Sequence, residues 1–262
     1  MGVLNVTPDS FSDGGKFIEP AAAVAHAQEM IAQGADLIDV GGESTRPGSQ
    51  RVFAAEQIRR VEPVIRALRR VSDVVISIDT TLAPVARAAL DAGANMINDI
   101  SAGREDPGML PLAAQRHAPI VLMHMQGTPA TMQQNPTYED VTAEVKQFLL
   151  DHAHAATEAG VERQRILIDP GIGFGKSVEH NLTLLRDTQQ FTCSGFPVVI
   201  GTSRKRFIER ITGVIEPAQR IFGTAATVAW SVANGAAIVR VHDVEPMVQV
   251  VRVVRSIQAT AS

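Results

Sequence analysis

Side chains able to hydrogen-bond or ionise stand at the ends of short apolar runs: Asn5, Asp39, Asp79, Asn98 with Asp99, His124, Asp169, Ser203 and His242. Cations gather near the later ones, with Arg204 and Lys205 after one run and Arg240 beside His242, while Arg46 lies in a Gly- and Pro-rich stretch. A carboxylate presents two acceptors to a planar N–H edge, and guanidinium and ammonium groups hold anions such as phosphate. Brought together, these residues would bind a small polar molecule that carries an anionic group. Lys205 and Arg206 also fit the bland role of solvated helix residues, which is the reading taken for Arg206. Arg240 does not, because residues 236–241 around it are otherwise apolar.

Residue type and spacing exclude several other chemistries. Gly171-Ile172-Gly173-Phe174-Gly175-Lys176-Ser177 lacks the first glycine of a phosphate-binding loop, because Pro170 stands in its place. It also lacks the last glycine of a dinucleotide fingerprint, which would fall one position after Gly175. A loop that lays Phe174 over a ligand suits it better. His152 and His154 have the wrong helical spacing for one zinc-binding face and are read as surface residues. Cys193 is the only cysteine, so neither an internal disulfide nor a cysteine metal cluster can form, and a structural role is read for it.

The elements that must position these residues are legible in the apolar runs, which cover 3–6, 37–40, 74–78, 96–100, 120–123, 166–168, 198–200 and 238–241. Between them apolar residues recur at helical spacing, as in Ile58, Val61, Val64, Ile65 and Leu68, or Met247, Val250, Val251 and Val254. Pro63 is expected to bend its helix without ending it. Gly34, Gly93 and Gly160 follow helical segments, where a left-handed residue closes a helix at least cost. Alternating strands and helices predict an α/β fold, a (β/α)8 TIM barrel, with an open doubly wound sheet as the alternative. Residues 216–234 are read as an extra helical decoration of the eighth unit.

In such a barrel the C-terminal ends of all strands converge on one face, and phosphate sites recur after strands seven and eight. The polar run-ends therefore describe one pocket. Strand side chains alternate, so only one of Asn98 and Asp99 points into the mouth; the other caps or supports, a role equally open to Asp39. Two long connections, 7–20 and 41–52, have the composition of lids or binding loops, and 124–136 reads either as a third or as a passive loop.

Composition agrees with one domain over residues 1–262, since no linker-like stretch divides the chain. With 45% hydrophobic but only 4% aromatic residues, the core must be built of Ala, Val, Ile and Leu, as in parallel sheets covered by helices. A net charge of −4 without a long basic stripe argues against nucleic acid or an anionic membrane as partner. The N-terminus has no basic region followed by an apolar stretch, and no run approaches a membrane span, so a cytoplasmic protein is expected.

The residues also form longer strings: Met1-Gly2-Val3-Leu4-Asn5-Val6-Thr7-Pro8-Asp9-Ser10-Phe11-Ser12-Asp13-Gly14-Gly15, and Gly41-Gly42-Glu43-Ser44-Thr45-Arg46-Pro47-Gly48. Further on come Ser77-Ile78-Asp79-Thr80, Ile97-Asn98-Asp99-Ile100, His124-Met125-Gln126-Gly127, Asp169-Pro170-Gly171, Phe174-Gly175-Lys176, Ser203-Arg204-Lys205 and Arg240-Val241-His242-Asp243. In order and placement they resemble the signature strings of the dihydropteroate synthase family of pterin-binding enzymes, across nearly the whole chain.

The resemblance implies a transferase of folate biosynthesis that joins 7,8-dihydropterin-6-ylmethyl diphosphate to 4-aminobenzoate, giving 7,8-dihydropteroate and diphosphate. It implies a pterin set of Asp79, Asn98, Asp169 and Lys205, and a diphosphate set of Asn5, Arg46, Arg240 and His242. Asn5 would also meet a magnesium ion carried with the diphosphate. Phe11, Thr45, Pro47, Phe174 and Ser203 would line the aminobenzoate site, which in the family also binds sulfonamides. Catalysis is expected from Asn5, Arg46, Lys205, Arg240 and His242, by departure of diphosphate before the arylamine attacks. A homodimer through the late helices is expected as well. Family members usually carry an N-terminal hairpin before the first strand; this chain begins inside that strand, so barrel-bottom apolar residues are expected to be exposed. A pterin-dependent methyltransferase domain is the enzymatic alternative, opposed by residues 9–15 and by Ser203 to Lys205, and a catalytically silent pterin-binding relative is the other.

Overall fold

The computed structural model describes residues 1–7, 20–44, 51–128, 131–132 and 134–260. Six parallel strands form one sheet in sequence order: β1 (Gly2–Asn5), β2 (Leu37–Gly41), β3 (Val75–Asp79), β4 (Met96–Asp99), β5 (Ile120–Met123) and β6 (Ile166–Asp169). The short strands β7 (Val199–Ile200) and β8 (Ile238–Val239) pair in parallel with each other. Single bridges, Ile168 to Val198 and Gly2 to Val241, join this pair to β6 on one side and to β1 on the other. The circle is thereby closed, with Val3 N donating to Val241 O at 3.0 Å and Val241 N to Met1 O at 2.9 Å. This is the expected barrel and not the open sheet.

The helices are α1 (Pro20–Ala32), α2 (Ala54–Arg69), α3 (Ala83–Ala92), α4 (Met109–Gln115), α5 (Val141–Glu158), α6 (Val178–Arg186), α7 (Thr188–Thr192), α8 (Arg206–Thr212), α9 (Ile221–Ala233) and α10 (Val244–Ala259). Local chemistry sets several of their ends. Asp140 accepts from the N–H groups of Thr142 and Ala143 to start α5, and Ser177 with His180 makes a reciprocal capping box for α6. Gly93 ends α3 at φ +116°. α2 runs on through Pro63, as expected.

Residues 216–234 are a correction. Their helix α9 is not a decoration: Val228 and Val232 belong to the main core, and Trp230 Nε1 donates to Leu185 O at 2.7 Å. The short helix beside the mouth is α8, tied down by Arg220, whose guanidinium donates to Arg204 O at 2.8 Å and Glu209 Oε2 at 2.6 Å.

Strand alternation sorts the interior. Outward residues such as Ile38, Ile76, Ile78, Ile97, Ile120, Leu122, Ile166 and Ile168 join the helices in the main core. The inward side chains at the bottom, Met1, Met96, Val121, Leu167 and Val199, form a separate apolar plug, with Leu37 and Ile238 partly buried against it. The expectation of exposed barrel-bottom residues holds only in part: Val75 is 39% exposed and Leu37 and Ile238 are half-buried, while the rest of the layer is buried. One step further along, the inward positions of five strands turn polar, with Asp39, Ser77, Asn98, Asp169 and Arg240, while Val3 and Met123 stay apolar. That change of layer is what equips the mouth.

Candidate active site

Arg240, at the end of β8, anchors the floor. Its Nε donates to Asp39 Oδ2 at 2.6 Å and its Nη2 to Asp79 Oδ2 at 2.8 Å, while Asn98 Nδ2 donates to the same Asp39 oxygen at 3.0 Å. Burial disfavours the Arg240 charge, but Asp39 and Asp79 outweigh it and hold the guanidinium pKa above its usual value. Burial also pushes the Asp79 carboxyl up to about 7, with Asp39 adding to it and Arg240 opposing. Two of the five guanidinium N–H groups are spent on carboxylates, so the rest can meet an anion above.

Asp169 and Lys205 form the adjoining wall. Asp169 Oδ1 accepts from Gly171 N at 2.7 Å, and burial raises its pKa against the pull of Lys205. Lys205 Nζ donates to Ile172 O and lies 4.5 Å from the centre of the Phe174 ring. Burial brings its ammonium down to about 7, with Asp169 opposing and Arg240 reinforcing. Beside this wall, Ser203 Oγ accepts from His242 N at 3.1 Å and hydrogen-bonds the imidazole Nδ1 at 3.1 Å. Arg204 is held by Asp243 at 2.5 and 3.0 Å.

Above these groups opens a cavity of about 630 Å³ whose lining includes Asn5, Phe174, Ser203, Lys205, Arg240 and His242. Among the described residues no aspartate or glutamate lines it, although carboxylates lie directly beneath. An anionic group is therefore favoured in the cavity and N–H donors at its floor.

Of the residues expected from the sequence, Asn5, Phe174, Ser203, Lys205, Arg240 and His242 line the cavity, Asp79 and Asn98 join the network beneath it through Arg240 and Asp39, and Asp169 is buried within electrostatic reach of Lys205 and Arg240. Phe11, Thr45, Arg46 and Pro47 lie outside the described residues. The base of the second loop is nonetheless tied, since Glu43 accepts from Val52 N at 2.9 Å and from Gln57 Nε2 at 2.8 Å.

Two strand-end groups leave the pocket. Asp99 accepts from the backbone of Ser101 and Gly103, both at 2.7 Å, and is the turn cap of the Asn98–Asp99 pair. His124 faces Lys176 and Phe148, so the polar run-ends do not all describe one pocket. Asp39 takes the supporting role beneath Arg240. Arg206 is exposed, as read, yet it lines the cavity rim. His152 is half-buried and stacked on Phe148 at 3.9 Å, whereas His154 is exposed. Lys176 and Arg220 went unassigned in the sequence; both are buried and border the cavity. A cation inside the Gly-rich loop and one in a helical stretch were their only signals.

A family model described as pterin binding enzyme matches residues 1–242. The dihydropteroate synthase of Synechocystis sp. is 49% identical over 97% of this chain and 88% of its own length. The solved structure of Xanthomonas albilineans dihydropteroate synthase with 4-aminobenzoic acid superposes with a TM-score of 0.92 at 46% identity, covering 98% of this chain and 92% of that one. The same enzyme in complex with 7,8-dihydropteroate gives 0.88 at 43% identity, with 98% and 92% covered. With the barrel, the polar mouth and these likenesses in agreement, the chain belongs to the pterin-binding enzyme family, among its dihydropteroate synthases.

Proposed function

We propose that the cavity condenses 7,8-dihydropterin-6-ylmethyl diphosphate with 4-aminobenzoate, and that residues 1–262 act as one pterin-binding barrel domain. The observation that carries this reading is the layered polarity of the mouth, with carboxylates below and cations lining the space above. Asp169 and Asp79 accept from the amino and amide N–H edge of the pterin, with Asn98 beside them and Lys205 donating to ring acceptors. Arg240, His242 and Asn5, joined by Arg46 from the second loop, hold the departing diphosphate. Phe174 and Ser203, with Phe11, Thr45 and Pro47, receive the aminobenzoate.

No side-chain nucleophile is required. Diphosphate leaves as the C–O bond breaks, the pterin carries the positive charge, and the arylamine attacks the exocyclic carbon and gives up one N–H proton to the departing diphosphate or to water. What the protein contributes is a fixed field for the leaving anion and exclusion of water. Among the described residues no group of His, Cys, Asp or Glu could hold a metal unaided. Asn5 offers one hard oxygen, which fits a magnesium ion bound mainly by phosphate oxygens; such an ion would neutralise charge on the leaving diphosphate.

Further support bears on assembly and location. Phe222, Trp230, Val253 and Ile257 on α9 and α10 are 50 to 86% exposed, which suits a homodimer through these helices. No helix among the described residues is long and apolar enough to cross a membrane, and the free thiol of Cys193 suits the reducing cytoplasm, where we place the reaction.

The test is diphosphate release from the pterin substrate with magnesium, with and without 4-aminobenzoate. Amine-dependent release with dihydropteroate formed is the expected result; pterin binding without release would overturn the reading. Arg46→Ala is expected to cut turnover while leaving pterin affinity nearly unchanged.

A further inference from the structure

Lys176 is buried, and among the described residues no carboxylate hydrogen-bonds it. Its Nζ donates to Phe174 O at 2.9 Å and His124 O at 3.4 Å, and shares a hydrogen bond with His124 Nδ1 at 3.0 Å. These partners belong to two different post-strand segments, one after β5 and one after β6. The segments are in close contact where Lys176 ties them: a Cβ on Gly171 would stand 1.9 Å from His124 O, and one on Gly175 2.5 Å from Gln126 O. Tyr138 OH donates to Gly175 O at 2.7 Å, and Gly173 N to Asn181 Oδ1 at 2.6 Å.

Phe174 is thus held from both sides. Lys176 fixes its carbonyl, and its ring joins Ile100, Met123, Met125 and Met132 while facing the Lys205 ammonium. His124 is itself set by the edge of Phe148, ring centres 4.7 Å apart. The three acceptors match the three donors of a protonated Lys176, whose pKa burial holds well below the usual lysine value with Asp169 opposing. Such a cross-tie costs desolvation, so a buried cation serving only to link two loops is a poor stabiliser.

We propose that Lys176 is a positioning residue: with His124 it forms a strut that fixes Phe174 at the mouth, and through Phe174 it sets affinity for the arylamine substrate. The proposal rests on the assignment of Phe174 to the aminobenzoate site. Lys176 does not itself touch the reacting atoms.

The experiment is a double-mutant cycle of Lys176→Met and Phe174→Leu, read as KM for 4-aminobenzoate, kcat and the dissociation constant of the dihydropterin diphosphate. Lys176→Met is expected to raise the amine KM about tenfold, the scale of one lost charge-assisted hydrogen bond, while pterin affinity stays within about twofold. In the Phe174→Leu background it should raise the amine KM no further. Lys176→Gln, which keeps a donor for one carbonyl, should fall between the wild type and Lys176→Met, and it carries the cycle alone if the methionine variant does not fold. If Phe174→Leu leaves the amine KM unchanged, the assignment of Phe174 fails. If Phe174→Leu raises it and the Lys176 variants do not, or if their effects add fully, the strut proposal fails while that assignment stands.

Discussion

Arg240 illustrates how a single side chain is prepared for an anion. Its guanidinium is oriented by Asp39 and Asp79, so it arrives at the cavity with its plane already fixed. Removing one partner of a buried charge pair leaves the other uncompensated, and Asp39→Ala is expected to lower stability by about 3 kcal/mol in chemical denaturation. Lys205 makes a prediction of a different kind. With its ammonium brought down to about 7, the charged form is lost as pH rises through neutrality. The kcat/KM for the pterin substrate, which reports ionisations of the free enzyme, should therefore fall above that pH. Lys205→Arg, always charged, should lose this descending limb, and an unchanged limb would assign the ionisation elsewhere. Residue identity alone located both groups in the sequence. It could not tell Asp39 from Asp99, since both are acids at strand ends; only alternation and the partner 201 residues away separate the support for Arg240 from the cap of a turn.

At the scale of elements, the loop after β6 depends on the absence of side chains. Gly171 has φ +67° and no room for a Cβ beside His124 O. Gly171→Ala is expected to destabilise the protein by about 1–3 kcal/mol and to weaken aminobenzoate binding together with it, measured by thermal unfolding and by amine KM. The sequence revealed the loop and its glycines but not the tie between Lys176 and His124, because 52 residues separate them and neither forms a local motif. The same limit explains the misreading of α9. A helix pattern reveals an apolar face, not which of two successive helices covers the barrel, and the shorter α8 occupies the mouth.

The whole molecule follows from layers that were largely visible in one dimension. Eight apolar runs became eight strands, and their polar ends became the mouth, with Asp99 and His124 as the exceptions. What composition could not reveal is the surface we propose is shared with another copy, since an exposed Phe222 or Ile257 reads like any other helix residue until α9 and α10 lie side by side. Under the proposed assembly, Ile257→Asp is expected to shift the protein from dimer to monomer in sedimentation analysis while retaining its fold; an unchanged mass would exclude this face.

The closure of the barrel has a consequence for its motions. β7 and β8 are two residues long and join the six-stranded sheet through single bridges on either side, whereas the pairs from β1 to β6 have three to five registered positions. Sub-global opening should begin where the fewest backbone bonds must break. Native-state hydrogen exchange is therefore expected to be faster at the amides of Ile238 and Arg240 than at those of Ile76 and Ile97. The quarter of the barrel that carries Arg240, Lys205 and His242 would then be its least protected part, and an occupied anion site would slow exchange there first.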